Sequence, residues 1–459
     1  MFLRTSRAIA PPSRLFSSQS ISSRSTSTMT SLPSHLYPPH LPISPTIYHP
    51  SPSAPTKTLL FLIPGNPGLI PYYTSFLSAL SASSPATTAV LGSSHLGYNT
   101  LPPHDHLRSS TPSLSKASNY YDLDAQIEHK LELLRWFCRS LKEEQDVSAY
   151  GTGSVHTEIG EVRRSKRIAT QTPPRSRAST PPFATSPSTQ LAGGFFGRKR
   201  EGIDVVLIGH SVGSWIGMKV LEGIMGMRPR EREACGIRSV RAGVWLFPTI
   251  TNIANSPSGR SFVRLNTLIP GLATWLWLWC WVVVTVLPRV WLVGLVKLCT
   301  GMSRENSETT VEGLVDVKRA RSWEGVDAVR QSVRMAREEM RRIGGDTFPE
   351  SLWNDDGVEM LFYFARGDNW VGEMEREALM KRRGVKVVER IGGEEGGAEE
   401  VIVEEGPLAG EKGTLAGAVG GKRHQMWVCK EGIPHGFCLE HGEVMAGKVV
   451  KWVEGLEKE

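Results

Sequence analysis

Short apolar runs recur along the chain and alternate with stretches of helical periodicity. Five runs have the length and composition of buried strands: 59–63, 87–92, 203–208, 242–247 and 358–365. Helices are predicted over four further stretches: amphipathic ones at 123–141 and 443–456, a charged one at 308–345, and one at 214–227. Strands that alternate with helices in this way form parallel sheets with right-handed crossovers. The pattern therefore predicts the α/β class, with a mostly parallel central sheet flanked by helices.

Three segments of biased composition interrupt this pattern. Residues 1–45 are rich in Ser and Pro, residues 146–200 in Ser, Thr, Pro and basic side chains, and residues 391–422 in Gly and Glu. Such segments cannot bury enough apolar surface to offset the entropy of ordering them. We therefore predict a disordered tail over 1–45 and one α/β domain over 46–459, with disordered or loop-like insertions at the other two segments.

The strongest apolar feature is a tryptophan-rich block at residues 268–299. No charged residue occurs from Leu268 to Leu287, a length of about 20 residues that would span a bilayer core if it were helical throughout. Pro288 then interrupts the block before a shorter apolar run. The block contains five tryptophans, a residue type that favours membrane interfaces: Trp275, Trp277, Trp279, Trp281 and Trp291. Residues 252–345 are therefore predicted to form a lid or a membrane-associating region.

Composition narrows the functional classes. Much of the formal net charge of +7 comes from the region before the first acidic residue, Asp105, and from residues 163–200, so no nucleic-acid partner is expected. The six cysteines include no CxxC pair, which suits a reducing compartment and argues against a structural zinc site. The chain shows no metal-ligating constellation and no phosphate-cradling glycine loop. Neither a metal nor a cofactor is expected.

A GxSxG motif stands at residues 209–213. The motif alone is a weak signal, but here it follows the apolar strand at 203–208 and opens a predicted helix. A serine in that setting lies on a strained turn with its Oγ exposed above the sheet. Gly209 and Gly213 matter because the strand and helix backbones approach closely at the turn, where a Cβ would clash. Ser211 is therefore the predicted nucleophile.

A nucleophilic serine needs a base within hydrogen-bond reach and a carboxylate that orients the base. On this kind of turn the partners follow in the chain order serine, acid, histidine, each in a loop after a strand. Asp368 comes just after the strand at 358–365 and His435 lies in a loop before the last helix, so they are the predicted acid and base. The alternatives occupy less suitable positions: Asp355, Asp356 and Glu359 for the acid, and His441 and His424 for the base.

An oxyanion hole needs two backbone N–H donors, one from the residue after the nucleophile and one from a loop after an earlier strand. Val212 supplies the first. The loop PGNPG follows the first apolar run, and because Pro67 has no N–H, Asn66 is the first choice for the second donor and Gly68 the next. His210, inside the serine turn, is predicted to pack or to donate a hydrogen bond rather than to act as the base.

Several motifs, in their order along the chain, resemble the lipid droplet-associated hydrolase family. They are FLIPGNPGLIPYYTSF, QIEHK, GHSVGSWI, LFPTIxxIAxSPxGR, GDNWV and IPHGF, and they cover most of the chain outside the tail and the two insertions. The resemblance implies an α/β-hydrolase fold and a triad of Ser211, Asp368 and His435. It also implies attachment to lipid droplets and the endoplasmic reticulum, and action on esters of neutral lipids such as sterol esters.

The order of the triad constrains the apolar block. Ser211 precedes residues 268–299 whereas Asp368 and His435 follow them, so a single membrane crossing would put the nucleophile and the base on opposite sides. The block must then form a hairpin around Pro288, lie in the interface or fold as a buried cap. A lipid ester substrate is the predicted partner, together with a droplet monolayer or an endoplasmic reticulum membrane contacted through the block.

Three functional interpretations follow. The first is a serine ester hydrolase that acts on sterol esters or acylglycerols at the lipid droplet surface. The second is a droplet-associated or endoplasmic reticulum-associated structural protein of lipid storage with weak or no hydrolase activity. The third is a soluble mitochondrial thioesterase or peptidase, because residues 1–30 are rich in Arg and Ser and lack acids, as transit peptides are. A start at Met29 would delete that segment.

Overall fold

The computed structural model of the protein covers most of the predicted α/β domain. The described residues are 32–98, 120–151, 202–300, 304, 307, 308, 310, 311, 324–355, 357–383, 386–390, 401–404 and 424–455. Parts of three predicted features lie outside the described residues. They are the start of the tail at 1–31, residues 152–200 of the first insertion, and residues 391–400 and 405–422 of the second.

A nine-stranded sheet runs through the centre of the described fold. Its strands are β1 (Thr46–His49), β2 (Thr58–Ile63), β3 (Thr88–Ser93), β4 (Ile203–His210), β5 (Ile237–Leu246), β6 (Glu359–Phe364), β7 (Lys386–Arg390), β8 (Val401–Glu404) and β9 (Gln425–Val428). Their order across the sheet is β1-β3-β2-β4-β5-β6-β9-β7-β8. The pairs β1–β3 and β7–β8 are antiparallel and the other pairs are parallel. The predicted mostly parallel sheet is therefore confirmed.

Helices flank the sheet and connect its strands. The α-helices among the described residues are α1 (Thr74–Ser83), α2 (Leu123–Gly151), α3 (Val212–Met225), α4 (Pro229–Ala234), α5 (Pro257–Leu268), α6 (Leu272–Val286), α7 (Arg289–Thr300), α8 (Glu324–Arg342), α9 (Glu350–Trp353), α10 (Glu373–Arg383) and α11 (Gly442–Gly455). The predicted helices correspond to α2, α3, α8 and α11. Helix α2 continues ten residues beyond its predicted end. In the predicted stretch at 308–345, residues 308, 310 and 311 are also helical, and residues 312–323 lie outside the described residues.

The central strands of the sheet are buried on both faces, which explains why β2, β3 and β4 consist mostly of apolar residues. Every residue of β2 and of β4 is buried. In β2, Phe61 belongs to the core that includes α2 and α3, whereas Leu60 and Leu62 belong to the core that includes α1 and α11. Parallel sheets are typically covered on both faces in this way. The carboxyl ends of β2, β4 and β6 meet at one edge, so the loops that follow them lie together there.

Three segment boundaries differ from the prediction. Residues 34–45 belong to the fold rather than to a disordered tail, because Leu36 is buried and the Ser44 hydroxyl hydrogen bonds to that of Ser93 at 2.9 Å. Helix α2 continues to Gly151, so the first residues of the predicted 146–200 insertion are helical. Strand β8 falls within the predicted 391–422 insertion and pairs with β7. In each case a short segment gains order from neighbours that composition alone does not identify.

The apolar block folds as successive helices rather than as one span. Helix α5 ends at Leu268, and α6 begins after Gly271, whose positive φ of 74° turns the chain. Pro288 lies between α6 and α7. No single helix among the described residues has the length and apolar character needed to cross a membrane. Helices α5 and α6 meet those criteria only as a pair, bent by 91°.

The outward face of this block is apolar and exposed. Most of the exposed large hydrophobic side chains in the described part of the chain lie between Val263 and Leu298, including Trp279 (66% exposed) and Val290 (81%). The inward face of α6 packs on α8, where the guanidinium of Arg330 lies 4.4 Å from the ring centroid of Trp277. The exposed outer face argues against the predicted alternative of a purely internal cap.

The strand order identifies the fold class. A mostly parallel sheet, an antiparallel first strand and a serine turn at the carboxyl end of the central strand β4 together constitute the α/β-hydrolase fold. The segment containing α5 to α8 is inserted between β5 and β6, at the edge of the sheet where the serine lies. The predicted fold class, including its hydrophobic insertion, therefore matches the structure.

Candidate active site

Ser211 lies on a tight turn between β4 and α3. Its backbone angles, φ 53° and ψ −125°, are rare for a residue with a side chain. A Cβ on Gly209 would lie 2.5 Å from the Ser214 Cα, and one on Gly213 would lie 2.3 Å from the backbone oxygens of both Ile63 and Pro64. These distances are too short for any Cβ. The two glycines are therefore required by the close approach of β4, α3 and the end of β2, as the sequence predicted.

The structure brings Ser211, His435 and Asp368 into one hydrogen-bonded chain. The Ser211 Oγ donates to His435 Nε2 at 2.9 Å, and His435 Nδ1 donates to Asp368 Oδ2 at 2.7 Å. This tautomer follows from the ionised carboxylate, which can only accept. The side chain of Asp368 is 1% exposed and that of His435 is 18% exposed. The serine thus has a base in contact with it, and the base is oriented by a buried acid.

The turn after β6 keeps Asp368 ionised. Burial alone would raise the pKa of its carboxyl, but the hydrogen bond from His435 and two backbone N–H donors outweigh burial and leave the pKa below its usual value. Those donors are Trp370 and Val371, whose N atoms lie 2.8 Å and 3.2 Å from Asp368 Oδ1. The GDNWV stretch therefore folds around its own aspartate and presents the second oxygen to the histidine.

The alternative acids and bases lie elsewhere. Asp355 Oδ1 accepts a hydrogen bond from the Gly357 N–H, and Glu359 Oε1 accepts one from the Gln425 side chain. Asp356 lies outside the described residues.

Of the rival histidines, His424 donates from Nε2 to the Trp353 backbone oxygen at 2.6 Å. His441 begins the last helical segment, where its backbone N–H and C=O form local hydrogen bonds. Among the described histidines, His435 is the one that hydrogen bonds to Ser211, and Asp368 is the acid bonded to His435.

The loop PGNPG lies directly against the serine turn. A Cβ on Gly65 would come within 3.1 Å of the Ser211 Cβ, so the backbone at 65–66 borders the nucleophile. Neither Val212 N–H nor Asn66 N–H donates a hydrogen bond to another described residue. The Gly68 N–H instead faces the hydroxyl of Tyr98. These positions favour Asn66 over Gly68 as the second oxyanion donor.

His210 forms a buried relay that sequence reasoning described only in outline. The Gly65 N–H donates to the Tyr73 hydroxyl at 2.9 Å, and that hydroxyl donates to His210 Nδ1 at 2.6 Å. His210 Nε2 in turn donates to the backbone oxygen of His435 at 2.8 Å. The relay connects the PGNPG loop, the serine turn and the loop that carries the base. Tyr73 was missed because its only sequence signal is its place in the family-like FLIPGNPGLIPYYTSF stretch.

The relay requires neutral His210. Burial, together with the neighbouring His435 imidazole, lowers the pKa of the His210 imidazole to about 3. A neutral imidazole has one donor and one acceptor, so the single Nε2–H tautomer satisfies both partners. His210 therefore cannot act as a second base at neutral pH, in agreement with the prediction that it packs or donates a hydrogen bond.

Two other family-like motifs have structural explanations. In QIEHK, the Gln126 side chain accepts from the Leu96 N–H and donates to the Leu96 backbone oxygen. The buried Lys130 Nζ donates to backbone oxygens at the end of β3. In SPxGR, the Ser256 hydroxyl caps α5 by accepting the Gly259 N–H at 3.0 Å. A Cβ on Gly259 would lie 2.1 Å from the Ile253 oxygen. Both motifs shape loops at the edge of the sheet that carries the serine.

Both ends of the inserted segment are attached to loops of the site. At the start of α5, the Ser258 N–H donates to the Asn369 backbone oxygen at 2.9 Å, next to Asp368. At the other end, α8 accepts hydrogen bonds from the Asn66 side chain. Among the described residues, no group of three or more His, Cys, Asp or Glu side chains is placed to hold a metal ion.

Comparisons with known proteins point to one family. A family model described as "Lipid-droplet associated hydrolase" matches residues 56–153 and 193–438, well over half of the chain. Two proteins named "Lipid droplet-associated hydrolase" are similar to this chain. The Gallus gallus protein is 23% identical over 317 residues, which are 68% of this chain and 71% of that protein. The Homo sapiens protein is 40% identical over 82 residues, which are 17% of this chain and 25% of that protein.

Solved structures with a related architecture include two bacterial enzymes. One is 2-hydroxy-6-oxo-6-phenylhexa-2,4-dienoate hydrolase from Rhodococcus sp. strain RHA1, with a TM-score of 0.43, 9% identity, and coverage of 90% of this chain and 94% of that chain. The other is haloalkane dehalogenase DbeA from Bradyrhizobium elkani USDA94, with a TM-score of 0.42 and 10% identity. The match covers 90% of this chain and 96% of that chain.

Proposed function

The chain belongs to the lipid-droplet associated hydrolase family, and from that premise we propose that it is a serine ester hydrolase that cleaves neutral lipid esters at the lipid droplet surface. The observation that carries the proposal is the continuous hydrogen-bonded chain from Ser211 through His435 to Asp368. Its geometry is that of a nucleophile, a general base and an orienting acid. The substrates proposed are sterol esters or acylglycerols, the class that the prediction from sequence named.

The proposed chemistry proceeds in two balanced halves. Ser211 Oγ attacks the acyl carbonyl carbon while His435 Nε2 accepts its proton, and the resulting oxyanion is stabilised by the backbone N–H groups of Val212 and Asn66. His435 then gives the proton to the departing alcohol, which leaves an acyl-serine. Water adds to the acyl-serine with His435 as the base, and the fatty acid leaves as Ser211 recovers its proton. Asp368 stays ionised and stabilises the imidazolium in both halves.

The exposed face of α5 to α7 is the proposed lipid-docking surface, and it consists of the outward apolar side chains between Val263 and Leu298. Apolar patches of this kind on soluble proteins mark sites of interaction. Tryptophans such as Trp275, Trp279 and Trp291 suit the boundary between headgroups and acyl chains. Since both ends of the inserted segment contact loops of the site, the surface can rest on a monolayer while Ser211, Asp368 and His435 remain on one side.

Ser211→Ala tests the catalytic half of the proposal. Purified wild-type protein should react with a fluorophosphonate probe and hydrolyse an emulsified sterol ester or triacylglycerol, and the alanine variant should do neither. Ser214→Ala is the matched control, because Ser214 is the next serine on α3 and its hydroxyl donates only to the Gly209 backbone oxygen. An alanine variant at position 211 that kept full esterase activity would refute the proposal.

A double substitution, Trp275→Glu with Trp279→Glu, tests the docking surface. Both side chains lie outward on α6, so the variant should keep its fold and its activity on a soluble short-chain ester. Binding to artificial droplets should fall by at least about tenfold, since two tryptophans no longer leave water. Val444→Glu, an exposed apolar position on α11, is the control. Equal droplet binding by the double variant and the wild type would show that α6 is not part of the docking surface.

A second function, a structural lipid-storage protein with little hydrolysis, is favoured by the size of the exposed apolar face alone. It requires the α5 to α7 surface but not Ser211. The two functions differ in one measurement. If the wild-type protein binds droplets but neither labels with the probe nor hydrolyses lipid ester, the structural function is supported. Imaging of C-terminally tagged protein in lipid-loaded cells would separate droplets and endoplasmic reticulum from mitochondria.

A further inference from the structure

The side chain of Asn66 ties the PGNPG loop to helix α8. Its Nδ2 donates to the Ser332 backbone oxygen at 3.0 Å and to Glu339 Oε1 at 2.9 Å, and both partners lie on α8. Its Oδ1 accepts from the Tyr98 hydroxyl at 2.9 Å. Because two acceptors face the nitrogen and a donor faces the oxygen, the orientation of the amide is fixed. The backbone of the same residue carries the proposed oxyanion donor.

Glu339 is an unusual group to place at this contact. It is 4% exposed. Among the described residues, its side chain has a hydrogen bond from Asn66 and no cation beside it. A buried carboxyl without a cation is costly, and an apolar side chain of similar size would fill the space at lower cost. Burial raises its pKa to about 7, and the hydrogen bond from Asn66 offsets only part of that effect. A packing role alone therefore does not account for an acid at this position.

Helix α8 lies between the apolar helices and the hydrolase body. One side packs on α6, through contacts such as that of Arg330 with Trp277. The other side reaches the loops of the body, where Gln331 accepts from the Tyr121 N–H and Glu338 accepts from the Leu123 N–H. Through Ser332 and Glu339 the helix thus contacts the loop that borders the nucleophile.

We propose that Glu339 is a positioning residue that holds the PGNPG loop in its productive geometry through the side chain of Asn66. The inserted helix α8 is then part of the catalytic machinery. This inference rests on the proposed ester hydrolase function. An oxyanion donor acts only when it lies about 2.7–3.1 Å from the oxygen that becomes negative. Removing the Glu339 acceptor takes away one of the three hydrogen bonds that fix the Asn66 amide, and with it part of the constraint on the direction of the Asn66 N–H.

The test compares Glu339→Leu, Glu339→Gln and Glu338→Leu with the wild-type full chain. The assay is kcat and KM on a soluble short-chain ester, with the inhibition constant of a trifluoromethyl ketone that forms an oxyanion on the serine. Glu339→Leu should lower kcat on the order of 10²-fold and leave KM within about threefold of the wild-type value. It should raise the inhibition constant of the ketone by the same factor by which kcat/KM falls. Glu339→Gln keeps an acceptor oxygen and should stay within about threefold of the wild type.

Glu338→Leu is the matched control, because Glu338 is the neighbouring acid on α8 but binds the Leu123 N–H instead of Asn66. Asn66→Ala gives a second variant that needs no change in α8, and it should reproduce the loss in kcat. The double variant Asn66→Ala with Glu339→Leu should then be no worse than either single change, because both act through one contact.

The possible failures are distinguishable. An active wild type with unchanged kcat and unchanged ketone affinity in both Glu339→Leu and Asn66→Ala overturns the positioning role and leaves the hydrolase function intact. A loss of the same size in Glu338→Leu also overturns it, because any disturbance of α8 would then suffice. A wild type without esterase activity or probe labelling overturns the hydrolase function, and the positioning role falls with it.

Discussion

The cost of burying Glu339 depends on pH, and the substitution Glu339→Gln removes it. Burial raises the pKa of this carboxyl from 4.5 to about 7. Because the folded value lies above the unfolded one, the folded protein keeps the proton over a range in which the unfolded chain has lost it. Stability therefore falls as pH rises from about 4.5 to about 7, which is the opposite of the behaviour of a paired carboxylate. The full loss is about 3 kcal/mol.

Glutamine keeps the oxygen that accepts from Asn66 but never ionises. The variant should match the wild type in stability at pH 4.5 and exceed it by about 3 kcal/mol at pH 8. Urea unfolding at the two pH values measures this difference, and the midpoint at pH 8 should rise by roughly 1 M. Tyr98, the titratable group that faces Glu339, adds no charge in this range, because burial raises the pKa of its hydroxyl further above 10.

Glu338→Gln is the control for this measurement, since it changes the same chemical group on the same helix at a half-buried position. It should not reproduce the gain between pH 4.5 and pH 8. A Glu339→Gln variant with the same advantage at both pH values, or with none at pH 8, would refute the reasoning. In that event the carboxyl is not enclosed without a cation, and the description of the contact between α8 and the loop must change.

Three further substitutions probe the serine site itself. Tyr73→Phe leaves two buried groups without partners, the Gly65 N–H and His210 Nδ1. It should lower the free energy of unfolding, measured by urea titration, by about 2–4 kcal/mol. A change under about 0.5 kcal/mol would contradict the relay. Gly213→Ala forces a Cβ to 2.3 Å from two backbone oxygens and should abolish soluble folded protein, which circular dichroism would detect. Asp368→Asn should lower kcat on the order of 10³-fold to 10⁴-fold with KM nearly unchanged, because the imidazole loses its orienting acceptor; a loss below tenfold would exclude that role.

The parts of the fold that sequence predicts are those with a local signal. The strands β2, β3, β4 and β6 and the second half of β5 are short apolar runs because the sheet is covered on both faces there. The spacing within α2 and α11 reports one buried side each. Ser211 and Asp368 follow from the same rule, because each comes just after a predicted strand at one edge of the sheet. His435 was predicted from its place in a loop before the last helix, and the strand that precedes it, β9, was not predicted. Their hydrogen bonds in the structure are the outcome of that order.

The parts that sequence did not predict depend on distant partners. Strand β1 is four residues long and is held by β3, more than forty residues later. Tyr73 and His210 meet across 137 residues, and Asn66 meets Glu339 across 273. Neither pair leaves a periodic or compositional trace. The acid at position 339 was grouped with a charged helical stretch, because a single sequence cannot show which charge on an amphipathic helix faces inward.

The distant contacts give the apolar insertion a second constraint beyond the order of the triad residues. A working triad would require the block to return to the side of a membrane from which it started. In the structure, the inserted segment is anchored to two loops of the candidate site, through Ser258 to the loop of Asp368 and through Glu339 to the loop of Asn66. A lipid monolayer at the proposed docking surface would therefore act on a segment whose two ends border the proposed acid and the proposed oxyanion donor. Any movement of the outer helices must either be absorbed within the segment or reach those loops.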